Sequence, residues 1–226
     1  CPACRRKLAP LALFGRAAYP FACCGAYRYG EVIQRLIWRY KFEGARWLYA
    51  YLADEMLRAL LDEAFDLVCF VPLHSRRLAW RGFNQSQLLA ERIAARRGCP
   101  CIPALVRIRN THAQAKLPHD ERAANVAGAF ALRPGAAEVL SGRRVLLVDD
   151  VVTTGATIGG CREQLRAAGA EVLCAAFTEF SKTRRTPFPF ARRCGILSVP
   201  HGVVHSRPGS YTSFSQNRNF SARPSV

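Results

Sequence analysis

Acidic side chains are scarce in this chain. Sixteen Asp and Glu stand against thirty-three Lys and Arg, a formal net charge of +17. Such an imbalance excludes an acidic, solvating protein and favours phosphate-bearing partners, from a small diphosphate to a nucleic-acid backbone. The shortage is sharpest at the end, where residues 181–226 hold eight Lys and Arg and no Asp or Glu, so +8 of the +17 lies there. No apolar run reaches the length that spans a bilayer, and the amino end has no basic-then-apolar signal segment. The expected location is therefore the cytoplasm, without a membrane span. A second Cys-x-x-Cys pair is also missing. Cys1-Pro2-Ala3-Cys4 has the spacing of a zinc knuckle but lacks the partners that complete a tetrahedral site. Adjacent Cys23 and Cys24 point to opposite faces of an extended segment, so a relict knuckle without zinc is expected.

What is present suits one α/β domain. A length of 226 residues supports a sizeable core but not two full domains, and no internal repeat is visible. Cys69, Cys161 and Cys174 fall at core positions of predicted strands or helices, where a reduced thiol packs like a small apolar group. Short strands are expected over 27–29, 66–71 and 171–177, and helices over 31–42 and 46–62. Pro72 ends the second strand's ladder, and the segment after it carries Arg76, Arg77 and Arg81 before Gly82-Phe83-Asn84-Gln85-Ser86 opens a helix. Asn84 with Gln87 has the spacing of a capping box. Residues 107–130 form a long polar stretch of the kind that serves as a lid. Residues 181–226, rich in Ser, Arg and Pro with scattered aromatics, read as a disordered tail; the same composition also suits stacking and charge contacts with single-stranded DNA.

The most informative stretch is Arg144 to Ile158. Val145-Leu146-Leu147-Val148 is a continuous apolar run, the pattern of a strand covered on both faces in a parallel sheet. It ends in Asp149 and Asp150 and passes through Val151 and Val152 into Thr153-Thr154-Gly155-Ala156-Thr157. The period then turns helical, with Ile158, Cys161, Leu165 and Ala168 on one face and Gly169 placed to stop the helix. Backbone N–H groups and the positive end of a helix dipole meet in that turn, joined by the hydroxyls of Thr153, Thr154 and Thr157. Gly155 lets the backbone come close to an anion. A phosphate monoester fits such a nest. Two carboxylates facing that phosphate would repel it, so Asp149 and Asp150 are expected to accept from ribose hydroxyls or to help hold Mg²⁺. Ordinary strand-end acids and capping threonines are the plain alternative. The uninterrupted order of strand, Asp-Asp, Thr-Thr-Gly and Thr favours the cradle.

This run resembles the phosphoribosyl-diphosphate motif of type I phosphoribosyltransferases, and more narrowly the ComF family of competence-associated, phosphoribosyltransferase-like proteins. Three further segments are similar in the same order: Tyr27-Arg28-Tyr29 leading to Arg35-Leu36-Ile37 and Lys41-Phe42; Val71-Pro72-Leu73 leading to Arg81 through Ser86; and Arg109 through Gln114 to Arg122, Asn125 and Phe130. The resemblance implies a parallel sheet flanked by helices over 27–180, after a degenerate zinc-ribbon-like segment over 1–26 in which Phe14-Gly15-Arg16-Ala17 stands where the family carries its second Cys pair. It implies that Val151 to Thr157 hold the 5′-phosphate, with Asp149 and Asp150 as the catalytic pair on the ribose hydroxyls. Arg76, Arg77 and Arg81 would face the diphosphate, with Arg109 and Gln114 in a closing loop and Lys41 a ligand candidate in the hood. Phosphoribosyl diphosphate with Mg²⁺ is then the expected ligand, and transfer to an unidentified nitrogen acceptor the expected reaction. A second function stays open: handling of single-stranded DNA during uptake, beside other competence proteins and without turnover.

Overall fold

Alternate residues of one strand feed two separate cores, and the rest of the architecture follows. The computed structural model describes residues 21, 23–60, 63–109 and 128–179. Among these residues twelve elements run in the order β1 (Cys23–Arg28), α1 (Glu31–Phe42), α2 (Leu48–Ala59), β2 (Leu67–Phe70), α3 (Ser75–Arg81), α4 (Gln85–Arg97), β3 (Leu105–Arg107), β4 (Phe130–Leu132), α5 (Ala136–Leu140), β5 (Arg144–Val152), α6 (Ala156–Ala167) and β6 (Glu171–Glu179). Four strands form a parallel sheet in the order β1-β6-β5-β2, and β3 pairs antiparallel with β4 beside it. Leu146 and Val148 of β5 pack with Ile33, Tyr40, Leu52, Met56, Leu89 and Ile93 of α1, α2 and α4. Val145 and Leu147 pack on the other side with Leu105, Phe130, Leu140, Ile158, Cys161 and Leu165. The continuous apolar run of this strand is thus explained by helices on one face and α6 with the β3–β4 ribbon on the other.

The register aligns the carboxyl ends. Asp149 of β5 lies beside Ala176 of β6, and Phe70 of β2 beside Val148. Because all four strands run the same way, the segments leaving β2 and β5 emerge at one edge, where ligands of open α/β sheets collect.

The expected helix over 31–42 forms with those bounds, whereas the one expected over 46–62 is the shorter α2. The first strand opens at Cys23 rather than Tyr27. Cys23 and Cys24 are both buried in it, on opposite cores, and burial pushes both thiols up. Residues as small as Cys-Cys-Gly-Ala carry little strand propensity of their own; pairing with Cys174 to Ala176 decides it. The arginine segment after Pro72 is not an open loop, since α3 forms there with the His74 side chain accepting from Arg76 N–H at 3.3 Å. The capping box is likewise absent. Asn84 does cap α4, accepting from Ser86 N–H at 3.0 Å, but Gln87 donates to Glu91 instead of reaching back. Asn84 Nδ2 also donates to Val71 O at 3.0 Å, tying the exit of β2 to the start of α4. Cys1, Cys4, Gln114, Arg122, Asn125 and the tail from Ser181 lie outside the described residues.

Leu147 has no exposed surface and sits between Cys69 and Cys174 in the register. Truncation there leaves a cavity that a sheet paired on both sides cannot collapse. Leu147→Ala is expected to lose about 2–5 kcal/mol of stability, seen in urea unfolding as a lower midpoint with an unchanged slope.

Candidate functional site

Asp149 and Asp150 end the central strand almost wholly buried, 7% and 2% exposed. Removing two adjacent carboxylates from water costs several kcal/mol per charge unless partners compensate. Those partners come from separate parts of the chain. Ser86 Oγ, in the first turn of α4, donates to Asp149 Oδ1 at 2.9 Å, and the Asp150 N–H donates to the same oxygen at 2.8 Å. Lys41 Nζ, in the last turn of α1, lies 2.6 Å from Asp150 Oδ2 with its side chain only 19% exposed. This approach is an ion pair without hydrogen-bond alignment. Burial raises the Asp149 carboxyl to about 7, and the Asp150 charge adds to the shift. Lys41, the Asp150 N–H and Ser86 pull the other way.

The turn after the strand has the form that the sequence leads one to expect. Gly155 caps α6 at φ +79°, ψ −5°, a left-handed conformation in which any side chain is strained. Thr154 Oγ1 accepts from Ala156 N–H at 3.3 Å. Thr153, Thr154, Ala156 and Thr157 are half-buried around the helix start, as is Val151 before them. Val152 differs: its side chain is buried in the second core, so only its backbone is placed to meet a ligand.

The three arginines after β2 do not act alike. Arg81 is half-buried; Nη1 donates to Gln85 Oε1 at 2.6 Å, and the guanidinium lies 5.1 Å from the Phe42 ring centroid. Burial lowers its pKa while the Asp150 charge opposes, which sets it close to the carboxylates. The charge of Arg77 is felt at both Arg81 and Arg107. Arg76 is exposed on α3, and Arg109 is exposed just beyond β3. Arg107 was not singled out by sequence, yet it is 7% exposed, 5.2 Å from the Phe130 ring centroid, and its charge interacts with Asp149. In the sequence Ser86 stands out only as the end of the Gly82-Phe83-Asn84-Gln85-Ser86 helix start. Lys41 carries one sequence signal that could have strengthened it: the chain holds only four Lys among its thirty-three basic residues, and this one falls on a helix whose other cations are arginine.

A parallel sheet whose central strand delivers paired carboxylates to a threonine-lined helix start defines the class of type I phosphoribosyltransferase-like α/β proteins. The chain is 33% identical over 151 residues to competence protein F of Haemophilus influenzae, covering 63% of this chain and 66% of that protein. It is 31% identical over 156 residues to competence protein ComFC of Bacillus subtilis, covering 67% and 61%. With the DNA utilization protein YhgH of Salmonella typhi it shares 35% over 131 residues, covering 53% and 56%. The chain belongs to the ComF family, and it spans less than two thirds of the length of each of these relatives. No protein-family model matches it. Among solved structures, adenine phosphoribosyltransferase of Thermoanaerobacter pseudethanolicus overlaps 62% of this chain and 84% of its own, at 19% identity and a TM-score of 0.39. The strand order and register carry the fold assignment, not that loose overlap.

The raised Asp149 carboxyl sets a pH dependence. The folded chain keeps a proton that the unfolded chain releases above the usual carboxylate range. Stability therefore falls as pH rises from about 4 towards 7, by at most about 1.4 kcal/mol per pH unit. Asp149→Asn is expected to flatten that slope. Urea unfolding of both proteins across this range checks it, and parallel profiles would show that the proton is bound elsewhere.

Proposed function

We propose that this site binds 5-phosphoribosyl diphosphate together with Mg²⁺ and transfers the phosphoribosyl group to a nitrogen acceptor. The observation that carries the reading is the junction itself: Asp149 and Asp150 buried at the end of β5, running directly into a half-buried threonine turn with Gly155 in the left-handed conformation. Thr153, Thr154, Ala156 and Thr157 would hold the 5′-phosphate with the backbone of Val151, Val152 and Gly155, at the positive end of the α6 dipole. Asp149 and Asp150 would accept from the ribose hydroxyls. Arg77 and Arg81, with Arg76 farther out, would face the diphosphate, and Arg109 and Gln114 would belong to the closing segment.

Among the described residues no group of three or more His, Cys, Asp or Glu converges as a metal cage. The donor set nonetheless fits Mg²⁺, which is commonly held by one or two carboxylates plus the oxygens of a phosphorylated ligand. When bound, the ion would neutralise the diphosphate as it leaves. In the transfer the C1–O bond to diphosphate breaks, its electron pair departing with the leaving group, and a C1–N bond forms. The chain's own residues contribute orientation and fixed charge. Buried carboxylates held in place by Ser86 and Lys41 need no reorganisation when positive charge develops on the sugar ring.

A second reading is supported by the names of two relatives, a DNA utilization protein and a competence protein, and by the +17 charge. In it the chain is a factor for handling single-stranded DNA, alongside other competence proteins, with the cradle retained and no product made. No helix among the described residues is long and apolar enough to cross a membrane, and a cytoplasmic place suits both readings.

Calorimetric titration with phosphoribosyl diphosphate tests the transferase reading. Saturable binding that requires Mg²⁺ is expected, weakened roughly tenfold or more by Asp149→Asn, since one charge-assisted hydrogen bond contributes about 1.5–3 kcal/mol. No heat with the intact chain, or binding indifferent to both Mg²⁺ and the substitution, would remove the transferase reading.

A further inference from the structure

The cradle leaves one conspicuous feature of α1 and α3 unused. Trp38 is 57% exposed, Phe42 43% and Trp80 72%. Single exposed apolar side chains are ordinary, but three large aromatics joined in a row through Phe42 mark an interaction surface. The ring centroids of Trp38 and Phe42 are 4.6 Å apart and those of Phe42 and Trp80 6.0 Å, tilted at 55° and 49°. At these separations aromatic rings support one another. Trp38 and Phe42 stand four residues apart on one helix, hence one above the other, and α3 adds the third ring from a distant part of the chain. The Arg81 guanidinium lies against Phe42. A shallow cleft of about 300 Å³ at the Trp38 end is lined by Gln34, Arg35, Trp38, Arg39 and Glu43.

Charge decides what such a row takes. From Glu31 to Glu43 and from His74 to Gly82 the chain carries six cations against two acids. Arg35 and Arg39 are ion-paired with Glu31 and Glu43, and Lys41 with Asp150, so the excess positive charge comes chiefly from the arginines of α3, Arg76, Arg77 and Arg81. A second copy of the same face would bring like charge onto like charge, which disfavours self-association. A polyanion with flat apolar groups answers both features at once. Every nucleobase has a π-face that stacks on an aromatic ring, and the phosphates between bases meet the arginines. A duplex keeps those faces inside its own stack, so the row suits an unpaired strand.

We propose that Trp38, Phe42 and Trp80 form a stacking platform for successive bases of single-stranded DNA, with the arginines of α3 neutralising its backbone. This rests on the DNA-handling reading above and moves its contact surface from residues 181–226 to the folded domain. The platform adjoins the cradle: Phe42 follows Lys41, the partner of Asp150, and Arg81 touches Phe42 while feeling the Asp150 charge. A bound strand therefore passes close to the mouth of the phosphosugar site.

The test titrates the intact chain into a fluorescein-labelled oligodeoxythymidine over a series of salt concentrations. It follows anisotropy together with quenching of tryptophan fluorescence. The double variant Trp38→Ala/Trp80→Ala is compared with Trp47→Ala, whose indole is 67% exposed on the residue before α2; circular dichroism verifies that all three fold. The double variant is expected to bind at least about tenfold more weakly at fixed salt, with the steep salt dependence kept because the phosphate contacts remain. Trp47→Ala should change affinity by less than about twofold on the same grounds. If the intact chain binds the oligonucleotide and the double variant binds it equally well, the platform is wrong and the DNA-handling reading survives. An intact chain that does not bind overturns both. Light scattering that shows a dimer lost in the double variant would assign the row to self-association and also overturn the platform.

Discussion

Two neighbouring carboxylates buried at the end of a central strand are the constraint on which the rest of this structure depends. Neither can be hidden without compensation, and apart from the Asp150 N–H the compensation comes from elements outside β5. The first turn of α4 must bring Ser86 to Asp149, and the last turn of α1 must bring Lys41 to Asp150. Two further bonds hold those ends in place. Tyr40 OH donates to Gln85 O at 2.8 Å, linking α1 to the start of α4, and Asn84 ties that start to Val71 at the end of β2. Around the acids, the helix ends are fastened to one another as well as to the sheet.

The distribution of charge gains meaning from this arrangement. The chain is poor in acids, yet besides Glu55, Asp149 and Asp150 it buries Glu179, which closes β6 beside Val152. Burial raises its carboxyl, and among the described residues Oε2 has no hydrogen-bond partner. Buried acids at the sheet edge face a surface dominated by arginine. A ligand that is anionic at its phosphates and becomes cationic at its sugar carbon would match both signs. Sites that concentrate uncompensated groups in this way sacrifice stability for fixed electrostatics.

Helix α1 serves two surfaces. Its buried line of Ile33, Ile37 and Tyr40 packs on the sheet, Lys41 reaches the carboxylates, and Trp38 and Phe42 stay in water. Trp38 and Phe42, in contact with each other, lie on the turn that carries Lys41. The site and the aromatic row are therefore mechanically one unit, because any shift of the last turn of α1 moves both.

Local patterns carried much of this. The continuous apolar run of Val145 to Val148, the helical spacing of Ile158, Cys161 and Leu165, and the bounds of α1 follow from periodicity, since burial on one or both faces leaves its mark directly in the order of residues. The demand for a left-handed residue at the start of α6 was legible in Gly155 for the same reason, as were the Asp-Asp and Thr-Thr neighbours that backbone connectivity alone brings together. What the residues by themselves determined, then, was a strand, a turn and a helix in series, and the chemistry of that turn. Only the tertiary structure decided that Lys41 and Ser86 complete the acids, that Arg107 is buried where its charge interacts with Asp149, and that Trp80 joins Trp38 and Phe42. Each of these joins positions tens of residues apart along the chain, and the partner is selected by packing and desolvation in three dimensions rather than by any spacing along one element.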